Sequence, residues 1–522
     1  MTNTILGFLA FTLAVIIYVW YKLRKENLGT EKGYFLAGKS LTGPIIAGSM
    51  LLTNISTEHL IGMNGNAYKN GILVMAWEVT SAVALVIAAI WFIPKYIRMG
   101  LTTIPEYLEN RFDKLTRTLV AAFLMISFVV TLLPIVLYTG ALNIEGIFEV
   151  SSQLNISKTE GLWYTVLAIG GIGSLYAIFG GLKAVAFSDT LNGIGLFLGG
   201  LLITYLALKQ VDAGSAWQGL KTVYSSNPEK FNMIGGPETV LPFSTLFTGL
   251  MINQLYFWGM NQSIIQRAFG AENLVEAQKG LIYTGVLKLF VPVIIVLPGL
   301  VAFHLYGDQF FENPDLIYPV LVKRVLPAGL TGFFAAVILG AVLSTFNSVL
   351  NSASTIFCID LYKPYFAKNA DQKKMVRAGK WVALILAVFS IAAAPLVAGA
   401  PDGLYQMLQQ LNGIFFIPIA SIMFAGLFVK QINANGAKAG LLVGLIFYLL
   451  TTFVFEVDIH FVHIWGIEFV LNFIVMIIIS KLMPTDKVVV DIQKDDSPQW
   501  PHVKTVGLIL VVLTLLIYIL LS

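Results

Sequence analysis

The chain has almost no cysteine and little charge. Cys358 stands alone among 522 residues, so no disulfide forms within the chain, and its place inside an apolar run points to an inert buried thiol. Asp, Glu, Lys and Arg make up only 12% of the sequence, whereas 57% is hydrophobic. A water-soluble fold of this length has no interior large enough to hide that much apolar surface, so the expected solvent is lipid. Alternation of polar and apolar residues, the mark of a membrane barrel, is missing, and the apolar stretches are long and continuous. Lipid offers an exposed backbone no hydrogen-bond partner, which leaves helices. The net charge of +4 comes from Lys and Arg scattered over short loops rather than gathered in a stripe, so no nucleic-acid partner is expected. Nor does a nucleophile–base pair or a metal cluster stand out, and the chain does not read as an enzyme.

What is present is a succession of apolar runs. At about 20 residues per crossing, they predict an all-α polytopic membrane protein of about fourteen spans: 4 to 22, 44 to 65, 72 to 98, 117 to 145, 161 to 180, 185 to 208, 243 to 266, 280 to 305, 329 to 361, 377 to 398, 403 to 428, 437 to 455, 460 to 482 and 504 to 521. The first run lacks a small-residue cleavage site and is followed by Lys22, Arg24 and Lys25, so it is read as a retained span. With the N-terminus outside, the cytoplasmic loops are 22 to 43, 99 to 116, 181 to 184, 267 to 279, 362 to 376, 429 to 436 and 483 to 503. Counting span ends, that side receives 25 of the 33 Lys and Arg residues, the outside receives seven, and Lys288 is left within the membrane. The positive-inside rule then places both termini outside. The two longest outer loops, 209 to 242 and 306 to 328, read as solvent-facing connections.

Charge inside a span is costly and marks candidate function. The charged or titratable residues read in this way are Glu58, His59, Glu78, Asp189 and Lys288. The run Leu52-Thr53-Asn54-Ile55-Ser56-Thr57-Glu58-His59 puts polar side chains all round what should be a mid-membrane helix. A helix interrupted here frees the carbonyls of Leu52 and Ile55, and unwound backbone at this depth is tolerated where it lines a cavity or binds an ion; the alternative is a polar face packed on neighbours. Ala341, Ser344 and Thr345 share one helix face by their i, i+3, i+4 spacing. Two hydroxyls and three carbonyls make five neutral oxygens, which suit Na+ better than a divalent ion, although Ser and Thr also serve as interhelical glue. His59, Glu78, Ser81, Gln254, Lys288 and Gln409, with aromatic residues nearby, form a mixture of donors, acceptors and rings suited to a sugar or another polar solute. The alternative for Glu78 and Lys288 is a structural ion pair holding two helices together.

Several segments carry a family resemblance: Tyr34-Phe35-Leu36-Ala37-Gly38-Lys39-Ser40-Leu41, Asn54-Ile55-Ser56-Thr57-Glu58, Thr103-Ile104-Pro105-Glu106-Tyr107-Leu108, Tyr176 to Gly181 with Leu182 and Ala184, Ile264-Ile265-Gln266-Arg267, Lys288-Leu289, and Leu350-Asn351-Ser352-Ala353-Ser354-Thr355-Ile356-Phe357. The chain resembles the sodium/solute symporters, and among them the sodium/sugar branch. The resemblance implies a LeuT-like 5+5 inverted repeat, 44 to 208 and 243 to 428, forming a transport core at 44 to 428. Before it come one span and a cytoplasmic loop (1 to 43), and after it three C-terminal spans (429 to 522). It implies sodium ligands Leu52, Ile55, Ala341, Ser344 and Thr345, with Asp189 near the inner sodium exit. It also implies sugar contacts at His59, Glu78, Ser81, Gln254, Lys288 and Gln409, and gates at Met63, Trp77, Phe257, Tyr405 and Asn54. Phe257 stands where the branch usually has a tyrosine, so its ring has no hydroxyl for Asn54.

The resulting expectation is a sodium-driven symporter, not an enzyme, that imports a glucose- or galactose-like sugar by alternating access. It would be a multi-pass protein of a bacterial-type inner membrane, with a monomer sufficient for transport. Rival readings are a sodium symporter of sialic acid, another organic anion or an amino acid, and a sensor or channel on the same scaffold. A carboxylate cargo calls for a buried guanidinium, and no arginine is expected deep in any span.

Overall fold

The computed structural model describes residues 2–397, 404–485 and 497–522. The ends of two expected spans, at 398 and 403, and 486–496 of the connection expected at 483 to 503 lie outside the described residues, as does the side chain of Tyr176. Among the described residues the chain is helical, with one isolated bridge between Leu41 and Ala271. Eleven helices are individually long and apolar enough to cross a membrane, and each coincides with an expected span.

The other three expected spans fall where helices are interrupted. The run 44 to 65 forms Gly43–Asn54, turns at Ile55 (φ −84°, ψ 89°) and resumes as a widened turn, His59–Met63, and Asn64–Asn70. The run 243 to 266 is split into Leu250–Gly259 and Gln262–Phe269, with the Asn261 side chain capping the second piece by accepting from the Ser263 amide. The runs 161 to 180 and 185 to 208 join as Lys158–Val211, sharply broken at Gly181.

Gly181 takes φ 57° and ψ −166°, a region open essentially to glycine alone. The loop expected at 181 to 184 therefore shrinks to one residue. Tyr34 completes the corner: its hydroxyl bonds to the carbonyls of Ala177 (3.3 Å) and Ile178 (3.1 Å), at the end of the first stretch. A Cβ on Gly181 would lie 2.6 Å from the Tyr34 carbonyl oxygen. The Tyr34 to Leu41 segment and the turn at Gly181 are thus one structural unit.

Burial sorts the spans into core and perimeter. The most apolar windows of Ile72–Arg98 and Ala328–Tyr365 are 89% buried, whereas those of Asn3–Leu23 and Val503–Leu520 are 11% and 28% buried. The perimeter helices turn Ile17, Trp20, Leu508 and Leu516 outward, where lipid rather than protein covers them. The connection 306 to 328 departs from its expected solvent-facing character. Its Ile317–Val325 helix buries Ile317, Tyr318, Leu321 and Val322 completely, because those four fall on one helical face.

Replacing Gly181 with Ala should strain the corner by about 1–3 kcal/mol and push the new methyl group into Tyr34. Thermal unfolding of the purified variant in detergent checks this, and a melting temperature equal to wild type would show that the turn tolerates a side chain.

Candidate functional site

The site is built on the first interruption. In a continuous helix the Ser56 amide would aim at the Leu52 carbonyl and the His59 amide at that of Ile55. Here Ser56 N–H donates to the Asn54 carbonyl (3.1 Å) and His59 N–H to that of Ser56 (3.2 Å). The Ala328–Ile356 helix packs on this break: Thr345 Oγ1 donates to the Thr53 carbonyl at 3.0 Å. Ala341, Ser344 and Thr345 are all buried on that helix, and Ser344 Oγ faces the Asp189 carboxylate without a close hydrogen bond of its own.

Next to the break lies a cavity of ≈ 60 Å³ whose wall includes Asn54, Glu58, His59, Trp77, Glu78 and Lys288. Lys288 Nζ donates to Asn54 Oδ1 at 2.6 Å and pairs with Glu78 Oε2, and it sits 5.4 Å from the centre of the Trp258 ring. His59 lies between two carboxylates, with Nε2 3.6 Å from Glu78 Oε1 and Nδ1 3.7 Å from Glu58 Oε1. Tyr405 covers this group: its ring meets those of His59 and Trp77 edge-on at centroid distances of 5.4 and 6.2 Å, and its hydroxyl accepts from Gln409 Nε2 at 3.1 Å. Gln254 is anchored at both ends, donating to the Trp77 carbonyl (2.7 Å) and accepting from Trp258 Nε1 (3.1 Å). Phe257 also lines the cavity.

Two expected site residues are not brought to the cavity wall. Ser81 turns its hydroxyl back onto the Glu78 carbonyl of its own helix, and Met63 is fully buried elsewhere. The wall also includes Glu58, read from the sequence as a charge inside a span, and three residues that the sequence pattern left without a role: Asn253, Trp258 and Asn412. Asn412 and Trp258 were findable, since they lie one turn beyond Gln409 and Gln254 on the same helix faces.

Asp189 is fully buried one layer away. Its Oδ2 accepts from Ser49 Oγ at 2.6 Å and faces Arg267 Nη2 at 3.8 Å. Arg267 is also fully buried and donates to Ser49 and Thr53 (both 2.8 Å) and to Ser348. This corrects the expectation that no arginine lies deep in a span. Arg267 falls just past the expected end of 243 to 266, and the interruption at Met260 turns the next helix inward. Its guanidinium, however, is held by the Asp189 network and does not line the cavity.

A family model described as the sodium:solute symporter family matches residues 34–444. The chain belongs to that family. The symporter is 43% identical over 502 residues to the uncharacterized symporter YidK of Escherichia coli (strain K12), covering 96% of this chain and 88% of that one. It is 33% identical over 468 residues to the sodium/glucose cotransporter of Vibrio parahaemolyticus, covering 85% and 84% respectively. Its fold matches the substrate-bound, outward-open state of a Na+-coupled sialic acid symporter with a TM-score of 0.80 at 21% identity, covering 93% of this chain and 98% of that one. The symporter is therefore an integral, multi-pass membrane transporter that couples a small solute to sodium, and not an enzyme.

Lys288 and Glu78 are both nearly inaccessible, so removing one strands the other. In the symporter, Lys288→Ala alone should lower stability by about 3–5 kcal/mol, and adding Glu78→Gln should recover part of that loss. Thermal unfolding of the two single variants and the double variant gives the coupling. Additive losses would mean that the two groups do not depend on each other.

Proposed function

We propose that this symporter imports a neutral polyhydroxy solute, a glucose- or galactose-like sugar, together with sodium by alternating access. The observation that carries the sodium half is the diverted hydrogen bonding at the break, which turns the Ser56 and His59 amides away from the Leu52 and Ile55 carbonyls beside the helix that carries the buried Ser344 and Thr345 hydroxyls. In this reading Leu52, Ile55 and Ala341 supply carbonyl oxygens, Ser344 and Thr345 supply hydroxyls, and Asp189 marks the inner exit. Sodium joins the broken helix to Ala328–Ile356 and so organises the cavity next to Asn54.

The solute half rests on the cavity wall and on the 33% identity to a sodium/glucose cotransporter. His59, Glu78, Lys288 and Gln409 offer donors and acceptors around the Trp77, Trp258 and Phe257 rings, with Gln254 holding Trp77 and Trp258 in place. A volume of ≈ 60 Å³ is far below the ~300 Å³ or more of ordinary ligand sites, so admitting a sugar requires the Trp77 and Tyr405 lid and the Phe257 side to move apart. Ser81 and Met63 would support their neighbours rather than touch the solute. The fourteen-span reading with an inverted repeat is favoured by the interruptions themselves: 44 to 65 and 243 to 266 open the two expected repeats and are both broken. Both termini outside, a bacterial-type inner membrane and a sufficient monomer complete the reading.

The driving force is adequate with one ion. A potential of about 100 mV contributes about 2.3 kcal/mol and a tenfold sodium gradient about 1.4 kcal/mol. The second reading, an organic anion such as sialic acid, is favoured by the fold match and by Lys288 as a buried cation in the wall. It is opposed by Glu58 and Glu78 in that same wall, where a carboxylate would meet like charge.

Sodium-dependent uptake of labelled sugars and of sialic acid into proteoliposomes tests the proposal directly; uptake of the anion alone would overturn the sugar. Glu78→Gln and Gln409→Ala should each weaken solute binding about tenfold while sodium binding stays nearly unchanged, and thermal shift by solute at fixed sodium reads this. Ser344→Ala and Thr345→Ala should each raise the sodium concentration for half-maximal uptake, and the double change should abolish coupling, because sodium stripped of water does not readily replace a lost oxygen. Superimposable sodium curves at constant membrane potential would remove the ion site.

A further inference from the structure

Glu468 sits inside the Phe461–Leu482 helix, in the C-terminal part of the chain, and is fully buried. Neither of its carboxylate oxygens has a hydrogen-bond partner, and no Lys, Arg or His pairs with it among the described residues. It is not among the charges read from the sequence as candidates, and the transport site makes no use of it. An ionised carboxylate at membrane depth with no counter-charge is among the most expensive arrangements a protein can hold, so the negative charge must be neutralised by something it binds.

The surroundings select the ligand. Asn472, one turn along the same helix, donates its Nδ2 to Ser421 Oγ (3.1 Å) and also faces the Glu468 carboxyl group, to which a neutral amide brings no counter-charge. The helices also approach closely here, and no group of three or more His, Cys, Asp or Glu side chains that could hold a metal ion is found among the described residues. A Cβ on Gly413 would lie 2.1 Å from Trp465 Nε1, and one on Gly444 would lie 2.5 Å from the Asn472 amide. A sodium ion needs about five or six oxygens gathered at more than 2 Å, while a proton needs no space. The titratable group facing Glu468 from Ala434–Leu449 is the Tyr448 phenol. From Leu404–Phe428 come Gln410, Gly413 and Ser421, none of which titrates, and Leu250–Gly259 contributes no charged group to it. On its own helix, His463 is bonded to Ser244 and Thr248, and Lys481 lies at the far end.

We propose that Glu468 is a proton-binding site of the C-terminal helices, occupied in this conformation, and that gain or loss of its proton is felt at the solute cavity. Two contacts link them. Tyr448 Oη donates to the Gln410 carbonyl at 3.0 Å, on the helix that carries Gln409 and Asn412 into the cavity wall. Trp465, three residues before Glu468, meets the ring of Trp77, part of that wall, edge-on at 6.2 Å. Deprotonation would place an unneutralised charge beside Tyr448 and disturb both contacts. The proton therefore acts as a ligand whose binding favours the solute-binding arrangement, so alkaline conditions weaken solute binding.

The test measures solute affinity of the full-length protein at saturating sodium, using whichever panel solute is transported. Between about pH 6 and pH 9, wild type should lose ~5-fold or more in affinity. Glu468→Gln, which mimics the protonated acid, should hold the low-pH affinity throughout. Glu468→Asp should retain a pH dependence and serves as the second variant if the amide fails to assemble. In the pH-difference infrared spectrum, the loss of a protonated-carboxyl band on alkalinisation should appear in wild type and vanish in Glu468→Gln. A Glu468→Gln protein as pH-dependent as wild type, or a wild-type spectrum identical to that of Glu468→Gln, would overturn the proposal. The sugar or anion identity proposed above can fail without affecting this result, because the readout is the pH dependence and not the solute.

Discussion

A backbone group inside lipid has to find its partner within the protein, and every departure from a continuous helix here is arranged around that constraint. At Gly181 the Tyr34 hydroxyl serves the carbonyls at the end of the helix. At the second interruption the amides of Met260 and Asn261 both turn to the Tyr256 carbonyl, at 2.8 and 2.9 Å, and the Asn261 side chain caps the Gln262–Phe269 helix. At the first interruption the Thr53 carbonyl is served by Thr345. Against that background the carbonyls of Leu52 and Ile55 stand out, because the amides due to them bond elsewhere. The other two interruptions are served by amides and side chains of the chain itself, and the first is the one at which the proposed ion would be bound.

The fold was legible because lipid simplifies the code. Long apolar runs became helices with ends displaced by a few residues, and the break in the first repeat was visible as polar side chains on every face of a mid-membrane segment. The break at Asn261 was not foreseen. Its sequence, Phe257-Trp258-Gly259-Met260-Asn261-Gln262, is short, and its polarity begins only at the turn itself. The one-residue corner at Gly181 was misjudged as a loop because the sequence shows a glycine pair but not the Tyr34 hydroxyl, which comes from 147 positions earlier.

Single buried charges were the hardest to read. Arg267 sits just past the expected end of an apolar run, where local pattern does not distinguish it from a residue that reaches the interface, whereas Glu468 lies inside the expected span 460 to 482 and meets the same criterion as Glu78. What separates them is tertiary context. Arg267 is met by Asp189, Ser49, Thr53 and Ser348, from three other segments, which turn a costly cation into a fully bonded one. Among the described residues Glu468 is met by nothing of opposite charge. In the proposal above, that difference is what separates a binding group, Glu468, from a structural one, Arg267.

Charge balance connects the two halves of the proposed cycle. Leaving His59 aside, the cavity wall carries two carboxylates, Glu58 and Glu78, against one ammonium, Lys288; the Asp189 and Arg267 pair nearby cancels. In the proposed cycle a cation at the adjacent break would offset the second carboxylate, and a neutral solute would keep that balance, whereas an anion would disturb it. Lys288 ties the broken helix to Glu78 through Asn54, so the cavity widens only if those bonds lengthen. Under the proposal, the hydroxyls of a polyhydroxy solute would replace them in kind, each serving as donor and acceptor. The ion would order the broken helix and the solute would supply the hydrogen bonds, so that each favours the other's binding. Neither ligand would then satisfy the site alone, which is what obligatory cotransport demands.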